Sequence, residues 1–214
     1  MTTFLLVPGA GGDSWFWRGV VGALDKRGHH GIAVDLPGPD ESAGLAAYAD
    51  LVVKAGRDAG PVVLVAQSMG GFSAPLAVGR LNVEGIVLLN AMVPAPGETA
   101  GEWWENTGQG DARGSEEFDV ERDFFHDVPE DLTREAFTRA RDEANRAFED
   151  PWPLDAWPDV PTRGLAGADD RLFPADFQQR VARERLGVEL DVIPGGHLVA
   201  LANPDLIADR LVSG

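Results

Sequence analysis

The sequence predicts an α/β fold with a mainly parallel sheet of about six strands and a helical insertion. Six short runs, at 3–7, 31–35, 62–66, 85–89, 162–166 and 189–193, are almost continuously apolar. Strands buried on both faces of a parallel sheet have that character. Helix-like stretches separate the runs, and such alternation belongs to a parallel sheet with helices packed on it. One stretch, from 94 to 161, breaks the rhythm. It shows no strand signal and is rich in Glu, Asp, Arg and aromatic residues.

Taken in order, the first strand runs into a glycine-rich loop and a helix at 15–27. The second strand leads to a helix at 43–59 and the third to a helix at 70–80. Pro75 falls inside that last helix, where an interior proline costs roughly 3 kcal/mol, so it belongs near a first turn or at a kink. After the fourth strand comes the strandless stretch, read as a lid. Within it Pro129-Glu130-Asp131 has the proline and acids of a helix start. Leu132, Ala136, Phe137, Ala140, Ala144 and Phe148 follow at helical spacing and predict one apolar stripe. The last two strands carry helices at 174–186 and 204–212. The chain is expected to form a single domain over 1–214, with its core at 1–93 and 162–214 and the lid at 94–161.

At 214 residues, 44% hydrophobic and 25% charged, the chain is long enough for one such domain and ordinary for a globular protein. No apolar run is long enough to span a membrane, and the N-terminus shows no signal-peptide pattern. The absence of cysteine excludes disulfides and thiolate metal sites and fits a cytoplasmic protein. A net charge of −17 disfavours nucleic acid and anionic membrane surfaces as partners.

Chemistry is concentrated at three strand ends. Ala66-Gln67-Ser68-Met69-Gly70-Gly71 follows the apolar run 62–65 and precedes a helix, the setting that exposes a nucleophilic serine on a strained turn. In another setting the same string is a loop with a capping serine. Asp169 and Asp170 follow the fifth strand, and His197 follows the sixth after Pro194-Gly195-Gly196. Serine, acid and histidine in that order, each at a strand end, form a coherent set. A serine hydroxyl needs an imidazole to take its proton, and the imidazole needs a carboxylate to fix its tautomer. The loop around His197 is too rich in small residues for a packing site. His29, His30 and His126 read instead as solvent-facing or structural, and Asp35 ends the wrong strand for the acid.

On these residues the chain resembles the α/β-hydrolase superfamily nearly end to end. Leu5-Leu6-Val7-Pro8-Gly9-Ala10-Gly11-Gly12 is similar to its oxyanion segment, with Pro8 where histidine is usual. Ala33-Val34-Asp35-Leu36-Pro37-Gly38 is similar to its DLPG loop. Leu88-Leu89-Asn90-Ala91-Met92-Val93-Pro94 resembles the strand end of the methylesterase and hydroxynitrile-lyase branch. Two leading antiparallel strands usual in the family are not seen. The resemblance implies a triad of Ser68, Asp170 and His197, the acid chosen by the pattern Gly167, Asp170, Pro174. It implies oxyanion donors at the N–H groups of Ala10 and Met69, neither removed by Pro8. It implies hydrolysis of small to medium, apolar or aromatic carboxylic esters through an acyl-enzyme, without metal or cofactor. Gly9, Trp104, Phe125 and Leu198 are the candidate substrate contacts. Gly9 and Leu198 stand where lyases of that branch carry a threonine and a lysine. Leu198 can hold no charge for a departing cyanide, which favours hydrolysis over C–C or C–N cleavage.

Two further readings fare worse. Gly9-Ala10-Gly11-Gly12 with Asp35 faintly resembles a dinucleotide fingerprint, but Ser14 stands where the third glycine is needed. Tyr48 has Val52, not lysine, four residues on, which disfavours a short-chain reductase. A non-catalytic receptor for a small ligand would not need all three triad members.

Overall fold

The computed structural model describes residues 1–114 and 117–213; Ser115, Glu116 and Gly214 lie outside the described residues. Its strands are β1 (Thr3–Val7), β2 (His30–Ala33), β3 (Val62–Gln67), β4 (Val83–Leu89), β5 (Thr162–Gly167) and β6 (Leu190–Ile193). They form one sheet in the order β2-β1-β3-β4-β5-β6, and every neighbouring pair is parallel. The chain steps outward from β1 to β2, then crosses to the far side of β1 for β3. The carboxyl ends of β1 and β3 therefore flank the point where strand order reverses, the usual place for a ligand crevice in an open α/β sheet.

Helices cover both faces. Alternate residues of β1 serve opposite layers, as the period of two requires. Phe4 and Leu6 pack with Val20 and Leu24 of α1 (Arg18–Lys26) and with Ile207 and Leu211 near the C-terminus. Leu5 and Val7 pack with Tyr48 and Val52 of α2 (Leu45–Gly56). Each such buried aliphatic or aromatic side chain contributes about 1.5–3 kcal/mol relative to exposure. After β3 comes the short α3 (Gly70–Ser73). Between β4 and β5 the described residues hold α4 (Ala100–Asn106), α5 (Gln109–Arg113), α6 (Val120–Phe124), α7 (Glu130–Thr138) and α8 (Arg146–Glu149). The chain ends with α9 (Ala175–Leu186) before β6, then α10 (Val199–Ala202) and α11 (Pro204–Val212). Among the described residues no helix is long and apolar enough to cross a membrane.

Several element boundaries differ from expectation, each for a local reason. The helix expected at 70–80 stops after Ser73 and tightens into a 3-10 turn over Ala74–Ala77, with Pro75 in its first turn. Proline has no N–H to continue an α-helical ladder. The helix expected at 15–27 opens as a 3-10 turn, Ser14–Trp17, whose start is capped by the Asp13 carboxylate accepting from Trp15 N–H. β2 closes at Ala33, and Asp35 instead accepts from Ser14 N–H at 2.8 Å.

The single apolar stripe expected from Leu132 to Phe148 is not formed. Leu132, Ala136 and Phe137 lie on α7, Ala140 and Ala144 lie outside any helix, and Phe148 belongs to α8. Tertiary hydrogen bonds, one from the backbone of Ala144 and one to the side-chain carboxylate of Glu143, hold the intervening stretch. Ala144 N–H donates to Gly38 O at 2.7 Å, and Glu143 accepts from Gly11 N–H at 2.7 Å. Such contacts outweigh the few tenths of a kcal/mol per residue by which ordinary helix propensities differ.

Candidate active site

Ser68 sits directly after β3 with φ at +51°. Among the described residues only Asn90 shares this left-handed conformation without being glycine. Such a backbone costs a non-glycine residue on the order of 1–3 kcal/mol and persists only where its surroundings fix it. Here Ser68 N–H donates to Leu89 O at 3.3 Å, and Ser68 O accepts from Gly71 and Met92 N–H at 3.0 Å each. The turn is closely packed. A Cβ at Gly9 would lie 2.6 Å from Ser68 Cβ, and one at Gly71 would lie 1.8 Å from Met92 O. Only glycine fits at either place. Ala66, where glycine is more usual, is fully buried on β3.

Asp170 and His197 arrive from the ends of β5 and β6. His197 Nδ1 is 2.8 Å from Asp170 Oδ2. A carboxylate can only accept, so the proton of that bond sits on Nδ1 and leaves Nε2 as the basic nitrogen. Asp170 Oδ1 accepts from Leu172 N–H at 2.9 Å and Phe173 N–H at 2.8 Å, which fixes the carboxylate plane. The imidazole is held by Phe124 on one side, with ring centroids 4.9 Å apart, and by Phe173 edge-on at 5.1 Å. Both members of the pair are buried. Asp169 is exposed and accepts from Gly195 N–H at 3.2 Å, so the adjacent aspartates have separate partners. His30 is exposed beside Asp25, and His29 accepts from Thr2 N–H. His126 packs against Gly196, and neither of its ring nitrogens has a hydrogen-bond partner.

Three buried amides tie these loops together, and the sequence reading did not single them out. Gln67 Oε1 accepts from Gly9 N–H at 2.9 Å while its Nε2 reaches His197 O at 3.5 Å. Asn90 Nδ2 donates to Gly196 O at 2.9 Å and His197 O at 3.1 Å, and its Oδ1 accepts from Gly167 N–H at 2.7 Å. Gln178 on α9 donates to Phe173 O at 2.6 Å and Asp170 Oδ2 at 3.3 Å. The only sequence signal was a polar residue ending an otherwise apolar strand, at Gln67 and at Asn90.

A cavity of about 260 Å³ opens above Ser68. Ser68 and His197 both line it, together with Gly9, Ala10, Met69, Trp104, Phe125 and Leu198. Asp170 stands behind His197, outside the lining. Among the described residues the N–H groups of Ala10 and Met69 have no protein acceptor. Phe16, Phe124, Phe137 and Phe148 add apolar wall, while Trp103 and Trp152 are buried elsewhere, donating to Val93 O and Phe72 O. Next to the Gly9–Gly12 turn, the Ser14 N–H hydrogen bond holds the Asp35 carboxyl below its ordinary range. Burial and the hydrogen bond to Glu143 push the Tyr48 hydroxyl up. No group of three or more His, Cys, Asp or Glu that could hold a metal occurs among the described residues.

Comparison with known proteins adds relatives to this geometry. The chain is 36% identical over 110 residues to probable esterase PIR7A of Oryza sativa subsp. indica, covering 46% of this chain and 42% of that protein. It is 36% identical over 104 residues to methylesterase 7 of Arabidopsis thaliana, covering 42% of this chain and 40% of that one. The matched stretches thus span less than half the length of these relatives. The fold superposes on the crystal structure of polyneuridine aldehyde esterase with a TM-score of 0.83 at 20% identity, covering 99% of this chain and 98% of the other. A model of the alpha/beta hydrolase family matches residues 4–210, nearly the whole sequence, and the chain belongs to that family.

Proposed function

We propose that the protein is a serine hydrolase of carboxylic esters, with Ser68 as nucleophile, His197 as base and then acid, and Asp170 orienting His197. The observation that carries this reading is the meeting of two features at one cavity. A left-handed serine at a strand end shares its wall with a histidine whose far nitrogen is bonded to a buried carboxylate. In the first step Ser68 Oγ adds to the ester carbonyl as His197 Nε2 takes its proton. The imidazolium then gives that proton to the departing alcohol, leaving an acyl-serine. Water, deprotonated by the same nitrogen, adds to the acyl carbon and releases the acid and Ser68. The free N–H groups of Ala10 and Met69 are suited to hold the oxyanion in both steps, a contribution of about 2.7–4 kcal/mol per donor in comparable sites. The segment from 94 to 161 acts as a lid, supplying Trp104, Phe124 and Phe125 to an apolar pocket for small to medium esters.

Similarity to proteins named as esterases supports the reaction class, and the lack of cysteine is compatible with a reducing cytoplasm. A lyase on the same fold is disfavoured by the uncharged Leu198 in the cavity wall. The test offers a nitrophenyl acetate and mandelonitrile in parallel. Ester turnover with cyanide release near background is expected; cyanide release without ester turnover would overturn the reading.

A further inference from the structure

Among the described residues, Arg141 and His197 are the two basic or acidic residues that line the cavity. Arg141 lies in the non-helical stretch after α7, and its Nη2 donates to Gly12 O at 2.5 Å. Its Nε is buried and has no hydrogen-bond partner. Among the described residues no carboxylate lies within ion-pair distance of its guanidinium. The nearby acids direct their oxygens to other donors. Glu143 accepts from Gly11 N–H and the Tyr48 hydroxyl, Asp35 from Ser14 N–H, and Asp13 pairs with Arg139.

Asp35 feels the Arg141 charge from outside contact distance, but a permanent cation at the wall of an apolar cavity, with no carboxylate in contact with it, leaves donors that an anionic ligand would satisfy. The guanidinium is a planar fork of donors matched to a carboxylate, and it is always charged. Its place is one tight turn away from Ser68: Gly9 packs on Ser68, Gly12 N–H donates back to Gly9 O at 3.2 Å, and Arg141 bonds Gly12 O on that turn. A substrate could therefore put its ester at Ser68 and a second group at Arg141, with apolar chain between them against the aromatic wall.

We propose that Arg141 anchors a free carboxylate of the substrate, so that the esters taken are half-esters, monoesters of dicarboxylic acids. The proposal rests on the ester-hydrolase reading of the same cavity and narrows its substrate class.

The test uses monomethyl esters of succinic to suberic acid against methyl esters of monoacids of equal chain length. The wild type should favour the half-ester in kcat/KM by about 10- to 100-fold at the matching length, the range for one charge-assisted hydrogen bond. Arg141→Met should collapse that ratio and Arg141→Lys should keep part of it. Binding of the best half-ester to Ser68→Ala, measured by calorimetry, should weaken by a similar factor when Arg141→Met is added. Arg141-dependent binding without any ester turnover in the wild type would leave the anchor standing and sink the hydrolase reading. Ester turnover with no half-ester preference, or with a ratio unchanged by Arg141→Met, would overturn the anchor alone.

Discussion

Ser68 and Asn90 hold left-handed backbone at the ends of two neighbouring strands, and the two strains have different uses. At Ser68 the strain lifts a hydroxyl into a cavity; at Asn90 it turns an amide back under the loops that carry Asp170 and His197. Asn tolerates this conformation better than most residues because its short polar side chain bonds locally. The candidate site accordingly has two layers, with Ser68, Asp170 and His197 above and the three amides beneath. The sequence singles out the upper three as candidates because their residue types and chain order suit proton-transfer chemistry. The amides beneath carry no such signature: Gln67 and Asn90 bond to atoms far away in the chain, and Gln178 bonds back to the loop at 170–173 from a helix whose pattern marks it only as polar. Between the two aspartates the geometry makes a sharp prediction. Asp170→Asn puts an amide against His197 Nδ1 and favours the wrong tautomer, so kcat should fall by about 10⁴-fold, as in comparable triads. Asp169→Asn keeps an oxygen able to accept from Gly195 N–H, and its kcat should stay within about tenfold of wild type by loss of at most one ordinary hydrogen bond. Steady-state kinetics on an activated ester decides, and equal losses would contradict the assignment.

At the scale of elements, strands were far more legible than helices. The six apolar runs became six strands with ends moved by no more than a residue or two, because burial on both faces leaves little room for polar residues. Helix spacing misled between Leu132 and Phe148, where the Gly9–Gly12 turn and Gly38 take the hydrogen bonds of the chain. The segment between β4 and β5 supplies Trp104, Phe124 and Phe125 to the cavity but neither the candidate nucleophile nor its base. Trp104→Ala and Phe125→Ala should therefore change relative rates along a series of ester chain lengths more than the rate on an acetate. A parallel fall across the series would reduce the segment to scaffolding.

The same segment carries a buried carboxylate whose ionisation stabilises it. Hydrogen bonds from Arg122, together with Asp119 N–H and Arg113, hold the Asp123 carboxyl well below the usual range despite its burial. A depressed carboxyl stabilises the fold above the ordinary value of about 3.9 and loses that contribution as pH falls through its own lower value. Asp123→Asn should thus be less stable than wild type at pH 7, with the gap in thermal midpoint narrowing as pH drops below about 4. An equal gap at pH 7 and in acid would contradict this origin.

For the whole molecule, topology and charge act at different ranges. The reversal of strand order between β1 and β3 brings the Gly9 turn against Ser68, and β5 and β6 extend the sheet to bring Asp170 and His197 to the same edge. A net charge of −17 surrounds a cavity whose permanent charge is the cation Arg141. The proposed chemistry stands on one atom, Ser68 Oγ, and a fluorophosphonate probe reports on it directly. A single covalent adduct is expected, placed on Ser68 by peptide mapping and abolished by Ser68→Ala while the thermal unfolding profile stays close to wild type. Labelling at another serine, or equal labelling of Ser68→Ala, would contradict it.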